Sequence, residues 1–157
     1  MNVKLITMGK TSASYLREGE LEYQGRLKHY MKFERIDLND LKVSHKTSSN
    51  EVKKKEAKLI LKQIKPTDQI VLLDENGQDL NSVEFSKWFE KKSLSGVKNL
   101  VFLVGGAFGF DKPIYERAND QIRLSSLTFS HQMVRLFFLE QLYRAGSILK
   151  REKYHHQ

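Results

Sequence analysis

The stretch from Leu100 to Arg144 constrains this chain more than any other. An apolar run, Leu100, Val101, Phe102, Leu103 and Val104, leads into Gly105, Gly106, Ala107, Phe108 and Gly109. Farther on, Ser125, Ser126, Leu127, Thr128, Phe129, Ser130, His131 and Gln132 open an unusually apolar helix. Glycines let the main chain approach a ligand that a Cβ would hold off, and a Ser/Thr turn at a helix start supplies hydroxyls and free amides. The two loops together predict a small-molecule pocket built mostly of backbone.

The chain has 157 residues, enough for a real core, and no Pro/Gly/Ser-rich linker divides it. One domain over 1–157 is expected. A formal charge of +8 favours an anionic partner, and nucleic acid is the commonest for a chain of this size. With no cysteine there is no disulfide, no thiolate zinc site and no cysteine nucleophile, which fits a reducing compartment. Metal-ligand spacings are missing as well, so no metal is expected. The first residues lack the apolar region and cleavage site of a signal peptide, and no run reaches membrane-spanning length. A cytoplasmic location without membrane association is the expectation.

Strands and helices alternate along the chain. Val3 to Met8 reads as a buried strand ending at Gly9, followed by a helix capped by Ser12 or Ser14 and carrying Leu16, Tyr23, Leu27 and Tyr30. Phe33 to Leu38 is a second strand. Ser48 and Glu51 have capping-box spacing ahead of Ala57, Ile60, Leu61 and Ile64. Ile70 to Leu73 is a continuous apolar run typical of a strand covered on both faces, ending at Asp74, Glu75, Asn76 and Gly77. Asn81 or Ser82 begins a helix with Phe85, Trp88 and Phe89, stopped by Gly96. After the strand at Leu100, Asp111 opens a helix with Pro113 in its first turn. A short strand at Gln121 to Leu124 precedes the last helix, Ser130 to Leu149. This order predicts an α/β sandwich with a mostly parallel sheet, whose ligands bind beyond the carboxyl ends of the strands. Leu73, Gly105 and Leu124 each sit at such an end.

The glycines do not make a dinucleotide fingerprint. Their order is Gly-Gly-x-x-Gly, they follow a late strand, and no suitably placed acid follows to hold a ribose. No phosphate-loop lysine follows them either. The last helix carries Met133, Val134, Leu136, Phe137, Phe138, Leu139, Leu142, Tyr143, Ile148 and Leu149 around nearly its whole circumference. Such a helix must be buried on all sides, so a partner subunit is expected to cover one of them, most simply in a two-fold homodimer. Glu140 and Arg144 stand one turn apart as an ion pair suited to that contact. The run Lys53, Lys54, Lys55 and Lys58 reads as the solvated face of its helix.

With these residues in view, the chain resembles the large-subunit ribosomal RNA methyltransferase H family, small members of the knotted SPOUT class. The resemblance spans essentially the full length. It is strongest at Ser125, Leu127, Thr128, Phe129, His131, Gln132, Arg135, Glu140, Gln141, Tyr143, Arg144 and Ala145, with Gly105, Gly106, Gly109 and the Tyr154 and His155 tail. The chain departs from the family pattern at Ser130, where a proline is usual. The resemblance implies a SPOUT-type α/β/α sandwich with a C-terminal trefoil knot, and a homodimer. It further implies transfer of a methyl group from S-adenosylmethionine to N3 of a pseudouridine in 23S ribosomal RNA, within the large subunit or assembled ribosome. Carried across by position, the cofactor residues are Leu73, Gly105, Leu124, Ser125, Ser126, Leu127, Thr128 and Phe129.

A sulfonium already activates the methyl group, so the protein has to align it and keep water out. The imide nitrogen must also lose a proton, which calls for a base or a cation to stabilise the anion. His131, Arg135, Arg144, Tyr154 and His155 are the candidates. Phosphate contacts are expected from Lys10, Arg17, Lys112, Arg117, Lys150, Arg151 and Lys153. The competing expectations are a non-catalytic ribosome-associated factor of the same fold and, more weakly, a nicotinamide oxidoreductase.

Overall fold

The computed structural model describes residues 1–41, 44 and 46–154. Five strands, β1 (Asn2–Met8), β2 (Lys32–Leu38), β3 (Gln69–Asp79), β4 (Asn99–Val104) and β5 (Asp120–Arg123), form one sheet in the order β2-β1-β4-β3-β5. Every pairing is parallel, as the alternation of elements predicts. The helices are α1 (Ser14–Leu27), α2 (Ser49–Leu61), α3 (Ser82–Leu94), α4 (Lys112–Arg117) and α5 (Met133–Leu149).

The continuous apolar runs split by the two-residue period of a strand. Val3, Leu5, Val71, Leu73, Leu100, Phe102 and Val104 face one way and pack with Leu27, Phe85, Phe89, Phe138, Leu139 and Leu142 of α1, α3 and α5. Ile6, Met8, Ile70, Leu72, Val101 and Leu103 face the other way, onto Ala57, Ile60 and Ile114 of α2 and α4. Connections that run toward the β2 edge use α1 and α3 on the first face. Those that run toward the β5 edge use α2 and α4 on the second. Reversing both direction and face keeps one hand for all four crossovers, the regularity expected of parallel units.

The capping box expected at Ser48/Glu51 is formed, and Asn81, one of the two expected helix starts, proves to close a second one with Glu84. Three boundaries differ from the sequence expectation. Neither serine caps α1, whose N-cap is Ala13, because Ser12 donates its amide and hydroxyl to Gln132 Oε1 at 3.0 and 2.9 Å. The helix expected from Ser130 begins at Met133, where Ser130 Oγ accepts the Met133 amide at 3.2 Å. Finally, β3 does not end at Asp74–Gly77. Leu73 and Gln78 both align with Ile122 of β5, so the intervening residues bulge outward and the strand resumes to Asp79. Gly77 permits this, since a Cβ there would lie 2.5 Å from the Ile122 carbonyl carbon.

Candidate functional site

The carboxyl ends of β4, β3 and β5 surround a cavity of about 840 Å³. Leu73, Gly105 and the whole run Leu124 to Phe129 line it, so every position expected to hold the cofactor faces one space. The volume lies in the usual range for small-ligand sites. Its wall between β4 and α4 is main chain: Gly109 donates to the Gly106 carbonyl at 3.1 Å, closing a turn in which Gly109 has φ +76°. A Cβ on Gly106 would overlap the Glu56 carboxylate, which accepts the Gly106 amide. Burial, with Asp40 nearby, pushes the Glu56 carboxyl above its ordinary value.

Several lining residues were not singled out from the sequence. Asp74 accepts the Tyr115 hydroxyl at 2.7 Å and the Asn76 amide at 2.9 Å, tying α4 to the β3 bulge beside the cavity. The Asp-Glu-Asn-Gly stretch carried the signal, an Asx turn whose aspartate holds its own loop. Phe108 and Leu127 line the cavity yet remain 55% and 72% exposed, and the Phe129 ring sits 4.8 Å from that of Phe137 on α5. Apolar surface therefore runs from the cavity mouth onto the last helix.

The predicted proton-handling residues fall into three places. His131 is half-buried on the cavity wall, and burial together with the Arg135 charge lowers its pKa, leaving it neutral near pH 7. Arg135 is 0% exposed and does not line the cavity. It donates to Met8 O at 2.5 Å, Gly9 O at 3.0 Å and Thr11 Oγ1 at 3.1 Å, pinning the exit of β1 to α5. Beside it, Glu20 accepts from Thr11 at 2.9 Å and from Arg35 at 2.5 Å.

Arg144, in the C-terminal half of α5, and Tyr154, which folds back onto that helix, form the third group. The Tyr154 hydroxyl donates to Glu140 Oε1 at 3.1 Å and lies 3.2 Å from the Tyr23 hydroxyl, while Arg144 pairs with Glu140 and stacks 4.8 Å from the Tyr154 ring centre. Burial raises the Tyr154 pKa, and the bond to Glu140 raises that of Arg144. His155 lies outside the described residues. Because Tyr154 folds back onto Glu140 and Arg144, the cluster lies about 10–17 Å along α5 from its start at Met133 beside His131, and neither Arg144 nor Tyr154 lines the cavity. One protomer therefore does not bring the two groups together.

Among the described residues no helix is long and apolar enough to cross a membrane, and no cluster of His, Asp or Glu can hold a metal. A family model described as "Predicted SPOUT methyltransferase" matches residues 1–155. Proteins called ribosomal RNA large subunit methyltransferase H are similar along their whole length. The Cytophaga hutchinsonii protein is 51% identical over 99% of this chain and 100% of its own, and that of Flavobacterium psychrophilum 50% identical over 100% of both. The Bacteroides fragilis protein is 41% identical over 100% of both.

Proposed function

The chain belongs to the SPOUT methyltransferase family, and from that premise we propose that it methylates N3 of a pseudouridine in 23S ribosomal RNA with S-adenosylmethionine as donor. The observation that carries this reading is the convergence of Leu73, Gly105 and Leu124 to Phe129 on one cavity. Backbone amides and carbonyls of that run would hold the adenine edge, and Leu73, Leu124 and Leu127 would supply the apolar surface for its ring. When bound, the cofactor supplies an electrophilic methyl group on a sulfonium. The wall formed by Gly105, Gly106 and Gly109 presents main chain to the cavity, which fits a ligand pressed against it.

The chain's own residues then orient the imide and handle its proton. In this reading His131, on the cavity wall and with its pKa lowered, accepts it. Arg144 keeps a fixed positive charge that favours the imide anion, and Tyr154 and His155 hold the base in the cleft. Arg135, by contrast, positions the head of α5 through the β1 carbonyls and touches no reacting group.

The distance between His131 and Tyr154 is bridged in a two-fold homodimer, where the tail of one protomer reaches the cavity of its partner. Exposed Phe108, Leu127 and Phe137 supply the apolar surface for that contact. The protein is one cytoplasmic domain with the C-terminal segment threaded into a trefoil knot. Its substrate is the folded RNA of the large subunit or assembled ribosome. Mass spectrometry of ribosomal RNA from a deletion strain tests the reading. Loss of one methyl group from a pseudouridine, restored by the wild-type chain, is the expected result, and an unchanged modification pattern overturns it.

A further inference from the structure

We propose that the outer face of α2 is a docking ridge for the phosphate backbone of the RNA that enters the cavity. The inference rests on the methyltransferase reading for the identity of the RNA, but its observations are separate. Between Lys46 and Lys65 the sequence places seven lysines against two glutamates, the densest share of the chain's +8 charge. Both glutamates are already committed. Glu51 closes the α2 capping box and Glu56 takes the Gly106 amide.

Lys54, Lys58 and Lys62 recur every fourth residue, so they form one line along the helix at a rise of about 6 Å per step. Lys55 flanks that line. All four are exposed, and none takes part in an ion pair or hydrogen bond. Several cations favoured from the sequence are instead occupied within the protein. Arg117 donates to the Lys65 and Asp68 carbonyls at 2.8 Å, Lys150 donates to the His29 carbonyl at 2.9 Å, and Lys112 faces Glu116 at 3.7 Å. Among the described residues Lys10, Arg151 and Lys153 are also unoccupied, but the α2 row is the one that lines up cations at helical spacing next to the cavity.

Its position links it to the chemistry. Lys53 lines the cavity and Glu56 holds the cavity's glycine wall, so the ridge begins at the mouth and leads away from it along the layer of α2 and α4. A polyanion laid along a row of unpaired ammonium groups releases counterions and gains affinity without base contacts. The ridge thus steers and registers the RNA, while the cavity and tail select the base.

The test compares wild type with Lys54→Gln/Lys58→Gln/Lys62→Gln and with the corresponding triple glutamate variant, using Lys87→Glu/Lys91→Glu on α3 as control. Co-sedimentation with large ribosomal subunits across a salt series reports docking whether or not a methyl group is transferred. Methylation of unmodified ribosomes reports the enzymatic reading separately. The glutamine variant is expected to lower the slope of log affinity against log salt by about 2–3 and to raise KM about tenfold with kcat unchanged. The glutamate variant shifts both further, and all variants titrate S-adenosylmethionine like wild type. An unchanged salt slope and KM in both triple variants, or an equal loss in the α3 control, overturns the ridge. Absence of methylation by wild type with the salt effect intact overturns only the enzymatic reading.

Discussion

Arg135 shows how a side chain can be chemically suggestive in sequence and architectural in the fold. It is buried without exposure among the Met8 and Gly9 carbonyls, with Arg35 repelling it and Glu20, Asp37 and Asp40 compensating. Replacing it by Met keeps the volume but strands two carbonyls and unbalances the buried charges. A loss of about 3–5 kcal/mol in urea denaturation is expected, whereas a loss below about 1 kcal/mol, the value of one ordinary hydrogen bond, would mean that the tie is dispensable. In the same variant the His131 resonances should titrate at higher pH, because one of the two influences lowering its pKa is gone. Glu56 offers a second check. Folding raises its pKa, so the folded chain holds that proton more tightly than the unfolded one, and this contribution to stability fades as pH climbs through the raised value. Glu56→Gln keeps an acceptor for the Gly106 amide and should flatten that part of the stability–pH curve. Glu56→Ala loses the bond at every pH, at a cost of about 1 kcal/mol. Identical thermal-melt profiles for both variants from pH 4 to 8 would refute the assignment.

At the scale of elements, the β3 bulge is the most exacting feature. Both Leu73 and Gln78 align with Ile122, and the gap between them places Asp74 beside the cavity. Gly77→Ala forces a Cβ onto the Ile122 and Gln121 backbone, which cannot swing aside as a flexible side chain does. Overpacking of this kind costs about 1–3 kcal/mol. It should also weaken S-adenosylmethionine binding in calorimetry, and an unaltered melt with unaltered binding would show that the crossing is not tight. Strand and helix order, the Ser48/Glu51 capping box and the strand ends at Leu73, Gly105 and Leu124 that line the cavity were legible in the sequence, because each is written in local periodicity or turn chemistry. The bulge was not, since Asp74 to Gly77 reads as a turn and only the approach of β5 returns it to the sheet. Arg135 was equally opaque. Its partners are backbone carbonyls more than a hundred residues away, and no residue pattern announces a carbonyl.

For the molecule as a whole, the layout of α5 turns the question of activity into one of assembly. His131 lines the cavity ahead of the helix, whereas Arg144 and Tyr154 gather around Glu140 farther along it and do not line the cavity, so a chain acting alone keeps its cavity and tail apart. In the proposed homodimer a two-fold axis crossing α5 would reverse the partner helix and deliver each tail to the opposite cavity, and the exposed Phe137 lies on the same helix. This arrangement can be separated from a site built within one chain by combining defects. Thr128→Trp fills the cavity from an exposed lining position, and Arg144→Ala/Tyr154→Ala removes the tail chemistry. Homodimers of either variant should be inactive. A heterodimer carrying one defect on each protomer, purified through two different tags, pairs one intact cavity with one intact tail. It should therefore recover about half the wild-type rate, because two-fold symmetry gives one sound site of two. If every site drew its cavity and tail from the same chain, both sites in that heterodimer would be defective and the recovered rate would be nil.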